Sequence, residues 1–241
     1  PEAESLVPVQ LFTPPPPTTP LDNISQIAIG GSNQVVLKND GTVWTLGKNT
    51  SNKLGSGIPL NAIQTTAKKI NTDNVIKIAA MSDHTLALKA DGTVWAWGNN
   101  GNGQLGDGTK INKAFPTLIP NLTGVVDIAT GTTHSIALKS DKTVWTWGSN
   151  NKGQLGDNTT VEKIVPIQVT AILASDNIID VNAGSSYSTV LSSNGEVMTW
   201  GYNFNGQLAD GTKVDKKLPV KAKNITNTGN LTNVSKIDVS D

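Results

Sequence analysis

The sequence predicts an all-β protein: a β-propeller type of array built from four-stranded antiparallel blades, with four complete repeats and a leftover strand at each end. Three observations lead there. A motif recurs four times, short apolar runs alternate with turn residues, and the last run of three repeats carries a proline. The motif is DGTVWTLGKNTSNKLGSG at Asp40–Gly57, DGTVWAWGNNGNGQLGDGT at Asp91–Thr109, DKTVWTWGSNNKGQLGDNT at Asp141–Thr159 and NGEVMTWGYNFNGQLADGT at Asn194–Thr212. The glycine after the aromatic pair falls at Gly47, Gly98, Gly148 and Gly201, in steps of 51, 50 and 53 residues. Self-similarity at such a period marks one supersecondary unit repeated, so the chain reads as one array and not as separate domains.

Each unit supplies four strands in order. The first is a short apolar run: Ile24–Ile29, Val75–Ala80, Val125–Thr130 and Ile178–Ala183. The second follows at Gln34–Lys38, Thr85–Lys89, Ser135–Lys139 and Ser188–Ser192. Asp-Gly or Asn-Gly then joins it to the third, which predicts a type I′ turn with positive φ at both central residues; Lys142 breaks this pattern, so its turn is expected to be strained or of another type. The third strand carries the aromatic pair, as in Val94–Trp97, where Trp95 and Trp97 share one face while Val94 and Ala96 share the other. Both faces are thus apolar or small, which requires cover on both sides and predicts sheets stacked face to face. Trp97, Trp147 and Trp200 form a hydrophobic spine, with Leu46 as its weaker version in the first unit. In the polar loop that follows, Leu105, Leu155 and Leu208 are expected to tuck under as anchors. Gln104, Gln154 and Gln207, with Asp107, Asp157 and Asp210, are expected to bond loop backbone groups. The outer strand contains Pro116, Pro166 or Pro219, and a residue without an N–H belongs at an edge.

The repeats therefore run over about 24–74, 75–124, 125–177 and 178–233. Residues 234–241 match the start of the second unit and are expected to be the first strand of a fifth. Residues 1–12, through Leu6–Leu11, resemble Ile164–Val169 and are expected to be the final strand of a preceding repeat; residues 13–23 are a Pro-rich connector in polyproline II form. A start at Pro1 without Met reads as a processed or excised product.

Composition narrows the function classes. Among 241 residues, 16% are charged and the formal net charge is zero, so no general nucleic-acid partner is expected. The local lysines 213, 216, 217, 221 and 223, with Asp215 among them, read as a solvated strand and loop edge. No cysteine is present, which removes disulfide and thiolate chemistry, and no run of 18 apolar residues is present, so no membrane insertion is expected. Asn-x-Ser/Thr acceptors include Asn23, Asn121, Asn158 and Asn230.

Gly131–Asp157 carries an almost complete pattern: Gly-x-x-His-Ser-x-Ala-Leu, then Asp-x-Thr-Val-Trp-x-Trp-Gly-x-Asn, then Gly-Gln-Leu-Gly-Asp. It resembles the repeat of the regulator-of-chromosome-condensation family, and the resemblance extends over about residues 24–241. It implies a β-propeller, seven-bladed in that family, and a role in binding or regulating other proteins. The uniform copies rich in Asn, Thr and Lys resemble bacterial, secreted or surface-associated members, and so imply a secreted or cell-surface location.

Chemistry-bearing constellations are sparse. His84 and His134 share one repeat position, held elsewhere by Asn33 and Tyr187; one His per unit without Cys supplies too few ligands for a metal. Asp83 and Asp127 show no acid–base pairing. Gly98–Gly103 lacks two of the ligands a calcium loop needs, and its glycines do not fit a phosphate-binding fingerprint. No cofactor and no enzymatic activity are expected. The informative departure is the fourth loop, where Tyr202 and Phe204 stand in place of Asn99 and Gly101. The expected function is a non-enzymatic protein-interaction or surface-display module binding through blade-end loops, with Tyr202, Phe204, Tyr187, His84 and His134 as candidate contacts. One alternative is a structural or assembly unit that completes its ring or pairs its edge strands, 234–240 and 6–11, with another chain or fragment; the other is a regulator or inhibitor of another protein, by the family resemblance.

Overall fold

A computed structural model describes residues 21–239, and the expected strand at Leu6–Leu11, with residues 13–20 of the connector, lies outside the described residues. Each repeat forms one four-stranded antiparallel sheet whose strands pair in sequence order. Blade 1 comprises β1 (Ile24–Gly30), β2 (Asn33–Lys38), β3 (Val43–Lys48) and β4 (Ile63–Lys69). Blade 2 comprises β5 (Val75–Met81), β6 (His84–Lys89), β7 (Val94–Gly98) and β8 (Lys113–Leu118). Blade 3 comprises β9 (Val125–Thr130), β10 (His134–Lys139), β11 (Val144–Gly148) and β12 (Lys163–Gln168). Blade 4 comprises β13 (Ile178–Ala183), β14 (Tyr187–Ser192), β15 (Val197–Gly201) and β16 (Lys216–Lys221). Inner strands β1, β5, β9 and β13 follow one another around an axis, so the blades fan out from it in chain order.

The core lies between blades, not within them, because a single sheet has no way to cover its own two faces. Leu86, Leu88 and Val94 of blade 2 pack with Val125, Ile128 and Trp147 of blade 3. Equivalent clusters join blades 1 and 2 around Trp97 and blades 3 and 4 around Trp200. Those three tryptophans are wholly buried. Each removes roughly 150–250 Å² from water, worth up to about 4–6 kcal/mol. The indole edge needs room in the preceding loop, and glycine provides it: a Cβ on Gly106 would stand 2.9 Å from Trp147 Nε1, and one on Gly156 would stand 2.8 Å from Trp200 Nε1. The fourth loop has Ala209 at this position, at φ 51°.

The hairpin turns depart from the sequence expectation. In three of the turns between second and third strands positive φ falls on the glycine alone, Gly41, Gly92 and Gly195 (77°, 77° and 78°), and the residue before each is not left-handed. Their N–H groups close turns onto Lys38, Lys89 and Ser192. This is a type I turn ended by a left-handed residue, not type I′, because a three-residue loop supplies the strand twist with one positive φ. Lys142 occupies the same position at φ 71° and makes the same bond, 2.9 Å to the Lys139 carbonyl. The turn type is preserved and the lysine carries the strain.

Residues 234–239 are in no strand. They nonetheless follow the inner-strand lane: Val234 N–H donates to Gly195 O at 3.2 Å, as Val75 does to Gly41 and Val125 to Gly92 at 3.1 Å. Val234 and Ile237 pack against Leu191, Val197 and Ala222. Residues 234–239 thus take the lane of an inner strand but form no ladder among the described residues.

Lys142→Gly is expected to stabilise the fold by about 1 kcal/mol by relieving left-handed strain; urea unfolding checks it, against Lys139→Gly as a control that should not stabilise.

Candidate functional site

The loops joining third to fourth strands, residues 49–62, 99–112, 149–162 and 202–215, gather at one end of the blades. Each is organised by one buried asparagine. Asn100 Nδ2 donates to Asp107 Oδ1 (2.9 Å) and to the carbonyls of Thr109 and Ile111, while its Oδ1 accepts from Leu105 N–H at 3.0 Å. Asn150 and Asn203 repeat this set with Asp157 and Asp210. Asn49 braces the first loop through Ile58 O and Leu54 N–H. The expected glutamine brace is also present, as Gln104 Oε1 accepts from Asn102 N–H and Gln154 Oε1 from Lys152 N–H. The anchoring leucines Leu105, Leu155 and Leu208 are buried.

Burial pushes the Asp210 carboxyl up, but hydrogen bonds from Thr212, Lys216 and Asn203 outweigh it and bring the pKa to about 2. Lys216 Nζ lies 3.0 Å from this carboxylate, with Lys113–Asp107 and Lys163–Asp157 as its counterparts at 2.9 and 3.3 Å.

The first three loops also reach the next blade. Gln104 O accepts from Trp147 Nε1 (2.8 Å) and from Ser135 Oγ (2.8 Å), both in blade 3. Gln154 O accepts likewise from Trp200 Nε1 (2.8 Å) and Ser188 Oγ (2.9 Å) in blade 4. In the first seam Lys53 O takes the Trp97 indole N–H, and the buried Lys53 ammonium pairs with Asp83 at 2.8 Å.

The candidate contacts divide into two groups. Tyr202 and Phe204 come together at the end of blade 4, where Tyr202 N–H donates to Ser186 O at 2.9 Å; Tyr187 pairs in register with Gly201, but its ring lies on Gly184, as the His134 ring lies on Gly131. Tyr202 and Phe204 stack with ring centroids 6.4 Å apart at 12°. Lys152 of blade 3 lies 4.9 Å from the Tyr202 ring centroid. Phe204 is 67% exposed and Tyr202 is half-buried. The structure brings them together because Asn203, between them, is the buried hub, so both neighbours must point outward. His84 and His134 are instead enclosed within the seams, where their Nε2 atoms meet Ser135 Oγ (3.0 Å) and Ser188 Oγ (2.9 Å). Burial drives their pKa values down to about 4 and about 3. Each serine gives its proton to a loop carbonyl, so neither is a poised nucleophile.

Near the axis the structure makes an arrangement that sequence reading missed. Asp127 pairs with Lys77 and hydrogen-bonds Asp180, whose pKa is raised by burial and then by the Asp127 charge. Among the described residues no three His, Asp or Glu side chains converge as metal ligands, and no helix is long and apolar enough to cross a membrane.

A family model described as RCC1-like domain matches residues 1–240. The chain belongs to the RCC1-like domain family. It is 29% identical over 204 residues to the Ultraviolet-B receptor UVR8 of Arabidopsis thaliana, covering 83% of this chain and 46% of that protein. It is 33% identical over 205 residues to the probable E3 ubiquitin-protein ligase HERC6 of Homo sapiens, covering 81% of this chain and 20% of that one. The crystal structure of human WBSCR16 superposes with a TM-score of 0.76 at 26% identity, over 86% of this chain and 56% of that one. The RCC1-like chain thus spans about half or less of the length of these relatives.

Asn150→Ala is expected to lower stability by about 3 kcal/mol or more, because it leaves buried carbonyls and the Leu155 N–H without partners; thermal unfolding reads it. Asp210 contributes stability that is present above its ordinary value of 3.8 and lost as pH falls through about 2. Asp210→Asn should therefore be less stable than the parent at pH 7, with the difference vanishing near pH 2.

Proposed function

We propose that this chain is a protein-binding propeller module without chemistry of its own, and that it engages its partner through the blade-end loops with Tyr202 and Phe204 as anchors. The observation that carries the reading is the Phe204 ring, exposed yet held in place by its stack on Tyr202 and by the buried Asn203 between them. A pre-positioned aromatic pair loses little conformational entropy on binding, which is what an interface anchor requires. Lys152 over Tyr202 adds a cation at the rim. Membership of a family whose relatives include a receptor and a probable ubiquitin ligase agrees with a recognition role. Enclosure of His84 and His134 leaves them to the seams, so the binding surface is the aromatic group of blade 4.

The test compares proteins cross-linked by the folded chain in extract of its source with those cross-linked by Tyr202→Ala/Phe204→Ala. At least tenfold loss of a specific partner, with unchanged unfolding temperature, is expected. Unchanged capture sinks the proposal.

The inner-lane position of residues 234–239 favours a second reading, in which a strand from another copy pairs with them. Light scattering at high concentration decides this one, since a strict monomer removes it.

A further inference from the structure

Two of the three seams contain a buried titratable ring whose protonation state the hydrogen bonds dictate. Ser135 Oγ donates its only proton to Gln104 O, and Ser188 Oγ donates its own to Gln154 O. Each serine must therefore accept from the histidine, which makes His84 and His134 neutral Nε2–H tautomers. Nδ1 of both rings is buried and has no partner. A second proton would go there and place a positive charge on a fully buried ring.

The surroundings offer little compensation. Asp83 lies beside His84, but its carboxylate already holds the Lys53 ammonium at 2.8 Å. His134 faces His84, whose charge would repel it, and the Tyr187 backbone. His84 in turn faces the His134 backbone. The His134 ring also lies on Gly131, where even a Cβ would approach Cε1 to 2.2 Å, so no water fits between them. The seam between blades 1 and 2 has Asn33 and Thr85 at the matching positions and no histidine.

We propose that His84 and His134 form an acid-sensitive latch: protonation in the mildly acidic range releases the seams between blades 2 and 3 and between blades 3 and 4, while the seam between blades 1 and 2 stays closed. Opening would free the Trp147 and Trp200 faces and the loops that carry Lys152, the cation packed on Tyr202. The sign follows from the environment. Both folded-state pKa values, about 4 and about 3, lie below the ordinary 6.5, so the opened state takes up protons first. Stability from the latch is complete above pH 6.5 and declines as pH falls toward these values.

Asparagine already stands at this position in blade 1, so His84→Asn and His134→Asn are the variants, each compared with the parent in urea titrations from pH 7 to pH 4.5. The unfolding equilibrium constant of the parent is expected to rise by about tenfold per pH unit for each histidine below about pH 6. Each single variant should lose about one such factor, and the double variant should be nearly flat. If a variant fails to fold, His134→Tyr, matching blade 4, takes its place. Hydrogen exchange in the absence of urea, corrected for intrinsic rates, locates the effect. Segments 98–106, 144–156 and 197–208 should lose protection at pH 5 before segment 43–55 does. A double variant with the parent's slope, or a first seam that opens as early as the other two, would overturn the proposal.

Discussion

Everything in the array depends on one backbone carbonyl per seam. Gln104 O and Gln154 O each accept an indole N–H and a serine hydroxyl from the following blade. A carbonyl has two lone pairs, and here both are directed at one neighbour, which fixes the angle between sheets as well as their separation. Apolar area supplies the driving force for stacking, but area alone has no direction. The paired donors supply the direction. They also explain why the loop must be rigid: a carbonyl on a mobile loop would not hold an indole and a hydroxyl at once. The buried asparagine hub is the means of that rigidity.

The first seam follows the same logic with different groups. Lys53 replaces the glutamine, its carbonyl still takes an indole, and its ammonium satisfies Asp83 and Ser32 inside the seam. Asn33 Oδ1 and Thr85 Oγ1 are left buried without partners, where the other seams have a histidine and a serine in contact. This seam therefore relies on an ion pair where its neighbours rely on a neutral chain of hydrogen bonds. Two electrostatic designs coexist in one short array, and they respond to solvent conditions in different ways.

Much of this was legible in the sequence because the repeats serve as one another's controls. The inner strands, the hairpins and the tryptophan spine follow from pattern alone, and the proline-bearing outer strands are at the sheet edges. The turn type is not legible, since Asp-Gly fits a two-residue loop and a three-residue loop equally well, and only the pairing register separates them. The asparagine hub carried a visible signal, being present at positions 49, 100, 150 and 203 in every copy, yet an asparagine in a polar loop looks unremarkable until its burial is known. The histidine–serine contacts and the Asp127–Asp180 pair had no local signal, because their members lie some fifty residues apart on neighbouring blades. Repeat period tells which residues are equivalent, not which are adjacent across a seam.

Ala209 gives the fourth unit a polarity that its neighbours lack. In the first three loops the corresponding glycines leave an open slot for an indole, whereas here a methyl group stands in that space. The units are therefore not interchangeable tiles. A duplication or recombination that placed a tryptophan-bearing copy directly after the fourth would have to displace that indole or revert the alanine. The order of the blades is thus marked by a single carbon atom: after the first, second or third unit a following indole finds its slot, whereas after the fourth either the indole or the Ala209 methyl must shift.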